Sequence, residues 1–276
     1  MKRNMPSISV LMSLYEKESE AFLKECLVSL AAQSRPADEV VVVFDGYIPE
    51  NLAELVFRFE DSLNIKLVKL ENNVGLAKAL NSGLKVCSGE LVARLDTDDY
   101  CYPNRLEIQE QCFIDNPNVG VVGTFAQLVD FNGNFHGVRS NPTGNEDIYR
   151  ELWCCPLLHP SVMYRKELIK GVGGYNPNLK RRQDYELWFR VAKRGGAVFH
   201  NIDKPLIAYR YDRETNKRQS PKIAFQQGII GFKGSMALKL GITKSLMCFY
   251  PFFRSFLPSA VQHKLYFFMK KFDPRG

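Results

Sequence analysis

The chain has 276 residues, enough to bury a substantial core, and its 45% hydrophobic to 24% charged composition excludes a disordered or fibrous polymer. No uninterrupted apolar run reaches the ~18 residues of a membrane-spanning helix. The net charge of +7 is uneven: from Lys217 onward stand 11 basic residues and one acid, Asp273, whereas the preceding chain carries 26 basic and 29 acidic residues. A basic tail of this kind favours an anionic surface, membrane or nucleic acid, and no nucleic-acid motif accompanies it. Seven cysteines form no CxxC pair. No secretory signal precedes the first strand-like run, so reduced thiols in a cytoplasmic protein are expected.

Residues 7–14 read as a buried strand, and 18–33 as a helix with Phe22, Leu23, Cys26, Leu27 and Leu30 at helical spacing. Arg35-Pro36-Ala37-Asp38 ends that helix, and a second strand over 39–44 runs into Asp45-Gly46. A helix over about 49–61 leads to a third strand at 65–70. Asn72-Asn73-Val74-Gly75 makes a turn, 76–86 a helix, and 91–95 a fourth strand. This alternation predicts right-handed βαβ units and a parallel sheet. Such sheets bind ligands at the carboxyl ends of their strands, which puts Asp45 and Asp96 on one rim.

Further on, 103–116 is an amphipathic helix opened by Pro103, and 119–123 a strand. Asn132-Gly133-Asn134 sits between alternating runs over 125–138 and predicts a hairpin. A helix at 146–154, a loop at 171–180 and a helix at 183–194 stopped by Gly195-Gly196 follow, then strands at 197–201 and 206–211. Residues 222–240 read as a helix, and 246–272 mix Phe and Tyr with Lys and Arg. That last stretch fits either a helix pair docked on the body or a segment lying in a headgroup layer.

The chemistry concentrates at Asp96-Thr97-Asp98-Asp99, where an apolar strand ends in three carboxylates. In an extended backbone Asp96 and Asp98 point the same way, and a hard divalent cation relieves their repulsion. A solvated turn uses the same residue types. Arg94 is a charge at the centre of an apolar strand and requires a carboxylate or an anionic ligand. His159 precedes an apolar segment and suits a structural or a functional role. Asp184 and Glu186 open the helix of Trp188, where the dipole favours acids, and an acid held in a cleft there could also act as a general base.

Together, 9–15, Asp45-Gly46, 73–77 and 93–99 resemble the family 2 inverting glycosyltransferases. His159-Pro160-Ser161-Val162-Met163, Gly173-Gly174-Tyr175 and Asp184-Tyr185-Glu186-Leu187-Trp188 extend the likeness in the same order. The nearest branch builds bacterial exopolysaccharide and O-antigen units, of the amylovoran-biosynthesis kind. The resemblance implies an α/β GT-A fold: a Rossmann-like, mostly parallel sheet flanked by helices, with an acceptor-side subregion and a C-terminal helical tail. The resemblance covers about 5–212 and divides the body into a nucleotide-sugar-binding half (1–124) and an acceptor-binding half of the same domain (125–215); composition sets apart the basic aromatic C-terminal helical segment (216–276).

By the same resemblance, Asp45 contacts the base of a nucleotide sugar, UDP-linked by preference, in a pocket lined by Leu14 and Tyr15. Asn73, Gly75, Lys78, Arg94 and Asp96 complete the donor side. Asp98 holds Mn²⁺ or Mg²⁺, and Asp184 is the catalytic base, preceded by Gln183 where the family has Glu. His159, Glu186 and Trp188 belong to the acceptor side or its loop. A Gln-x-x-Arg-Trp signature is missing, which argues for transfer of a single hexose; the expected acceptor is a lipid-linked oligosaccharide, with the basic aromatic tail holding the protein at the inner face of the cytoplasmic membrane and no nucleic acid as a partner. Two alternatives stand beside this expectation. One is a haloacid dehalogenase-type phosphatase, whose DxD closes the first strand and continues into Gly-Thr. The other is a non-enzymatic nucleotide or nucleic-acid binder.

Overall fold

The computed structural model describes residues 5–211 and 220–257. In chain order the elements begin β1 (Ile8–Leu14), α1 (Glu20–Ala31), β2 (Glu39–Asp45), α2 (Glu50–Phe57), α3 (Glu60–Leu63), β3 (Ile65–Leu70), α4 (Leu76–Val86) and β4 (Leu91–Arg94). They continue with β5 (Tyr100–Cys101), α5 (Arg105–Asp115), β6 (Val119–Val129), β7 (Phe135–Arg139), α6 (Asn145–Arg150), β8 (Met163–Arg165), α7 (Lys166–Gly171), α8 (Gln183–Arg194) and β9 (Val198–Arg210). The C-terminal helices are α9 (Pro221–Ala237), α10 (Ile242–Met247) and α11 (Tyr250–Arg254).

One sheet runs β3-β2-β1-β4-β8-β6-β9-β5, with β7 added to β6. The first four strands are mutually parallel. β2 is buried along its whole length and β1 nearly so, because helices cover both faces, and this is why they read as unbroken apolar runs. Helix α4 lies against this part of the sheet, with Gly83 close to Leu11 and Val43, where a Cβ would collide with either side chain. Beyond β4 the sheet is mixed: β8 is antiparallel to both β4 and β6, while β6 and β9 pair in parallel.

Four local expectations differ from the structure. The helix expected at 146–154 stops at Arg150, and a separate 3-10 turn follows at Leu152–Cys154. The helix expected over 49–61 is two helices, because the stripe of Leu52, Leu55 and Val56 ends and the chain turns at Phe59 to bury Leu63. The strands expected at 197–201 and 206–211 are one strand, β9, whose register on β6 shifts near Pro205. The strand at 119–123 and the first arm of the hairpin are likewise one strand, β6, which crosses position 124 without a break. The 246–272 segment lies outside the described residues from 258 onward. Among the described residues, no helix is long and apolar enough to cross a membrane.

Candidate active site

Strand β4 is buried throughout, and the chain leaves it in a turn closed by the Asp99 N–H donating to the Asp96 carbonyl (3.2 Å). The turn gathers Asp96, Asp98 and Asp99, whose nearest carboxylate oxygens all lie within 4.8 Å of one another. Burial, then the charges of Asp96 and Glu18, push the Asp98 carboxyl up to about 7. Burial, then Asp98 and Asp96, push Asp99 well above the usual carboxylate range. The cluster is held from three sides. Arg94, completely buried, pairs with Asp96 through Nη2. Thr97 donates its hydroxyl to Glu18. Arg210 at the end of β9 donates its backbone N–H to Asp99 Oδ1 (2.8 Å), a guanidinium N–H to the Asp98 carbonyl and another to Glu25.

These residues suit a hard divalent cation. Three oxygen donors converge, and the second oxygen of Asp99 is buried with no hydrogen-bond partner. Crowded carboxylates of this kind are relieved by a positive charge placed between them.

Other expected donor-side residues fall on the same rim. Both oxygens of Asp45 accept backbone N–H groups, from Val74 (2.7 Å) and Gly75 (3.0 Å), so the carboxylate clamps the 72–75 turn to the end of β2. Gly46, at φ +88°, lets that turn approach, because a Cβ would meet the Asn73 backbone. Asn73 and Lys78 are exposed beside it. Leu14 is buried at the end of β1, and the exposed Tyr15 follows it. Partial burial of its hydroxyl, with the charges of Glu18 and Asp98 adding, raises the Tyr15 phenol above its usual range.

Asp184 is the second residue of α8, after Arg182 in the left-handed region (φ 62°). Burial pushes its carboxyl above the usual range; Arg182 opposes this, and Asp96 adds to it. Asp184 is therefore within electrostatic reach of the acid cluster. The Cys155 thiol approaches it at 3.9 Å. Glu186 instead faces Arg190 (2.8 Å), whose guanidinium also donates to the carbonyls of Val172 and Gly174 (2.6 Å to the latter) and so fixes the Gly173-Gly174 loop. His159 lies 2.9 Å from the Tyr175 hydroxyl, and burial with Arg94 nearby drives its pKa well down, leaving a neutral ring. Trp188 is fully buried in the core beside His159.

Sequence reasoning counted Asp99 among the three carboxylates but gave it no role, and it gave none to Glu18 or Arg210. Asp99 had a visible signal, since it continues the acidic run. Glu18 and Arg210 had none, because the fold alone brings them in from distant segments.

Comparison with known proteins places these features in context. The sequence model of glycosyl transferase family 2 matches residues 9–173. The amylovoran biosynthesis glycosyltransferase AmsE of Erwinia amylovora is 38% identical, over 76% of this chain and 79% of that protein. The UDP-Gal:alpha-D-GlcNAc-diphosphoundecaprenol beta-1,3-galactosyltransferase of Escherichia coli is 34% identical, over 79% of each. Among solved structures, S. aureus TarS 1-349 in complex with UDP-GlcNAc superposes with a TM-score of 0.67 at 24% identity, covering 90% of this chain and 72% of that one. The expected fold, a GT-A sheet flanked by helices with a helical C-terminal region, is the fold observed.

Proposed function

Because the chain belongs to glycosyl transferase family 2 and is a glycosyltransferase, we propose that it moves one hexose from a UDP-sugar to a lipid-linked oligosaccharide, inverting C1, in bacterial O-antigen or exopolysaccharide assembly. The names of the amylovoran and diphosphoundecaprenol relatives support this choice of donor, acceptor and pathway.

The chemistry follows from the rim. Asp98, with Asp96 and Asp99 beside it, would hold Mn²⁺ or Mg²⁺, which offsets the negative charge gained by the departing nucleoside diphosphate. Asp184 takes the proton of the acceptor hydroxyl as that oxygen bonds to C1. The bond from C1 to the diphosphate oxygen breaks, and its electron pair leaves with the nucleotide. A single displacement inverts the anomeric centre and needs no protein nucleophile. The raised pKa of Asp184 makes it a stronger base than a solvated aspartate. Asp45 and the 72–75 turn form the wall against which the base of the nucleotide rests, and Arg94 keeps Asp96 in place for the ribose side.

The observation that carries this reading is the convergence of Asp96, Asp98 and Asp99 at the end of β4, with one Asp99 oxygen buried and unpartnered, which supports a cation-binding cluster at the donor site. Release of nucleoside diphosphate from a panel of nucleotide sugars with Mn²⁺ tests it. A UDP-sugar should be hydrolysed, and Asp98→Ala should abolish both hydrolysis and UDP binding. No release from any donor would overturn the assignment.

The C-terminal helices are proposed to hold the enzyme at the inner face of the cytoplasmic membrane. Ile242, Leu246, Phe253 and Phe256 are exposed there, near Lys239, Lys244 and Arg254.

A further inference from the structure

The β6–β7 hairpin lies in the expected acceptor-binding half, none of its residues has yet been given a role, and it stands beside the site. Val129 of β6 pairs with Arg210 of β9, so the hairpin tip emerges at the end of the sheet that carries Asp98 and Asp99. Two ring contacts continue the path. The Arg210 guanidinium lies over the Phe22 ring at 4.1 Å, and Phe22 stacks on Phe131 of the tip with centroids 5.8 Å apart.

The tip is internally fixed. Asp130 accepts from the backbone N–H groups of Asn132 and Asn134 (2.9 Å each) and from the Asn134 side chain (3.0 Å), and it lies 3.0 Å from His136 Nε2. These hydrogen bonds, those from Asn134 foremost, hold the Asp130 carboxyl well below its usual range. Yet this rigid turn leaves Phe131 50% and Phe135 60% exposed. Two exposed aromatic rings on a preorganised loop can meet a ligand at little cost in ordering.

We propose that the hairpin tip is a saccharide subsite on the acceptor side, where Phe131 and Phe135 stack on the apolar faces of a sugar ring and Asn132 meets its hydroxyls. The proposal rests on the glycosyl-transfer reading above and deepens it. A sugar is favoured over other occupants on two grounds. The tip carries Asp130 and amides instead of lysines or arginines, which does not suit an anionic lipid surface. Two rings also fall far short of the roughly 800 Å² per partner that a stable dimer buries.

Saturation-transfer NMR on the full chain with UDP and Mg²⁺ tests this, using methyl glycosides of glucose, galactose, N-acetylglucosamine, N-acetylgalactosamine and rhamnose as probes. At least one glycoside should receive saturation, and the Phe131→Ala/Phe135→Ala variant should bind it about fivefold more weakly. Phe131→Tyr, which keeps a stacking ring, should bind it as the parent does. UDP signals should be equal in all three proteins. Equal glycoside signals in the parent and the double variant, or none in the parent, would overturn the subsite. So would a parent dimer that the double variant turns into a monomer, since the patch would then be a subunit interface. Glycoside signals lost in the double variant while UDP fails to bind even the parent would support the subsite and sink the donor assignment instead.

Discussion

Asp184 owes its proposed role to where its helix starts. The first turn of α8 would favour any acid, but burial and the nearby Asp96 raise this one. Asp184→Asn should lower kcat by about 10²–10⁴-fold, the usual worth of a general base, with the donor KM within about twofold. The pH dependence has a definite sign. The base must be deprotonated, so activity disappears as pH falls through its raised pKa, at a higher pH than the ~3.9 of an ordinary aspartate. An acid limb of kcat/KM at or below pH 4 would count against the assignment. Arg94 was legible from sequence because a cation amid apolar strand residues must find an anion, and it pairs with Asp96. Asp99 was legible as part of the acidic run, but its fixed position in the cluster was not. It is held by the backbone N–H of Arg210, 111 positions later, and no local pattern reports a contact of that span.

At the scale of elements, the opposite end of the sheet shows what holds the strands in register. Glu39 opens β2 and is almost fully buried; it accepts from the hydroxyl of Ser9 on β1 (2.5 Å) and from Ser88 ahead of β4 (2.6 Å from its N–H), and it pairs with Lys66 of β3. Burial alone would raise this carboxyl, but the bonds from Lys66, Ser9 and Ser88 outweigh it and hold its pKa at about 2. A depressed carboxylate stabilises the fold above its unfolded pKa of about 4.3, and that stability is lost as pH falls toward 2. Glu39→Gln should therefore cost on the order of 2 kcal/mol at pH 7 and flatten the acid limb of stability between roughly pH 4.5 and 2, as read by urea unfolding. An unchanged acid limb would show that Glu39 is not the ligature. The βαβ half was legible because burial on both faces of a parallel strand leaves a continuous apolar run. The mixed half was not: strand direction belongs to the connection rather than to the residues, and β8 enters between β4 and β6 as an antiparallel strand only three residues long.

At the scale of the whole molecule, the uneven charge acquires a place. The basic C-terminal helices present Ile242, Leu246, Phe253 and Phe256 to solvent. The Leu246→Ser/Phe253→Ser/Phe256→Ser variant should lose sedimentation with phosphatidylglycerol vesicles while keeping its melting temperature within about 2 °C, since exposed positions carry little folding energy. Undiminished vesicle binding would remove these residues from the membrane proposal. Substitution is a cleaner test than truncation at 246, because Cys248 and Phe249 lie against Gly231 and Gly228 of α9.

The same glycines govern how the protein can be recombined. At Gly231 and Gly234, α9 comes so close to α8 that any side chain would strike the Tyr185 hydroxyl or the Phe189 ring. The C-terminal helices are thus fitted to the helix that carries Asp184, and they are not an interchangeable module. A chimera that keeps residues up to 211 and borrows its last helices from elsewhere will preserve that fit only where the donor helix is equally bare at the two positions. Elsewhere the graft should cost about 1–3 kcal/mol of overpacking, read as a lowered melting temperature, and the helix bearing Asp184 should be displaced with it. Exchange among such enzymes is then expected to succeed at the tips of loops and to fail at this seam.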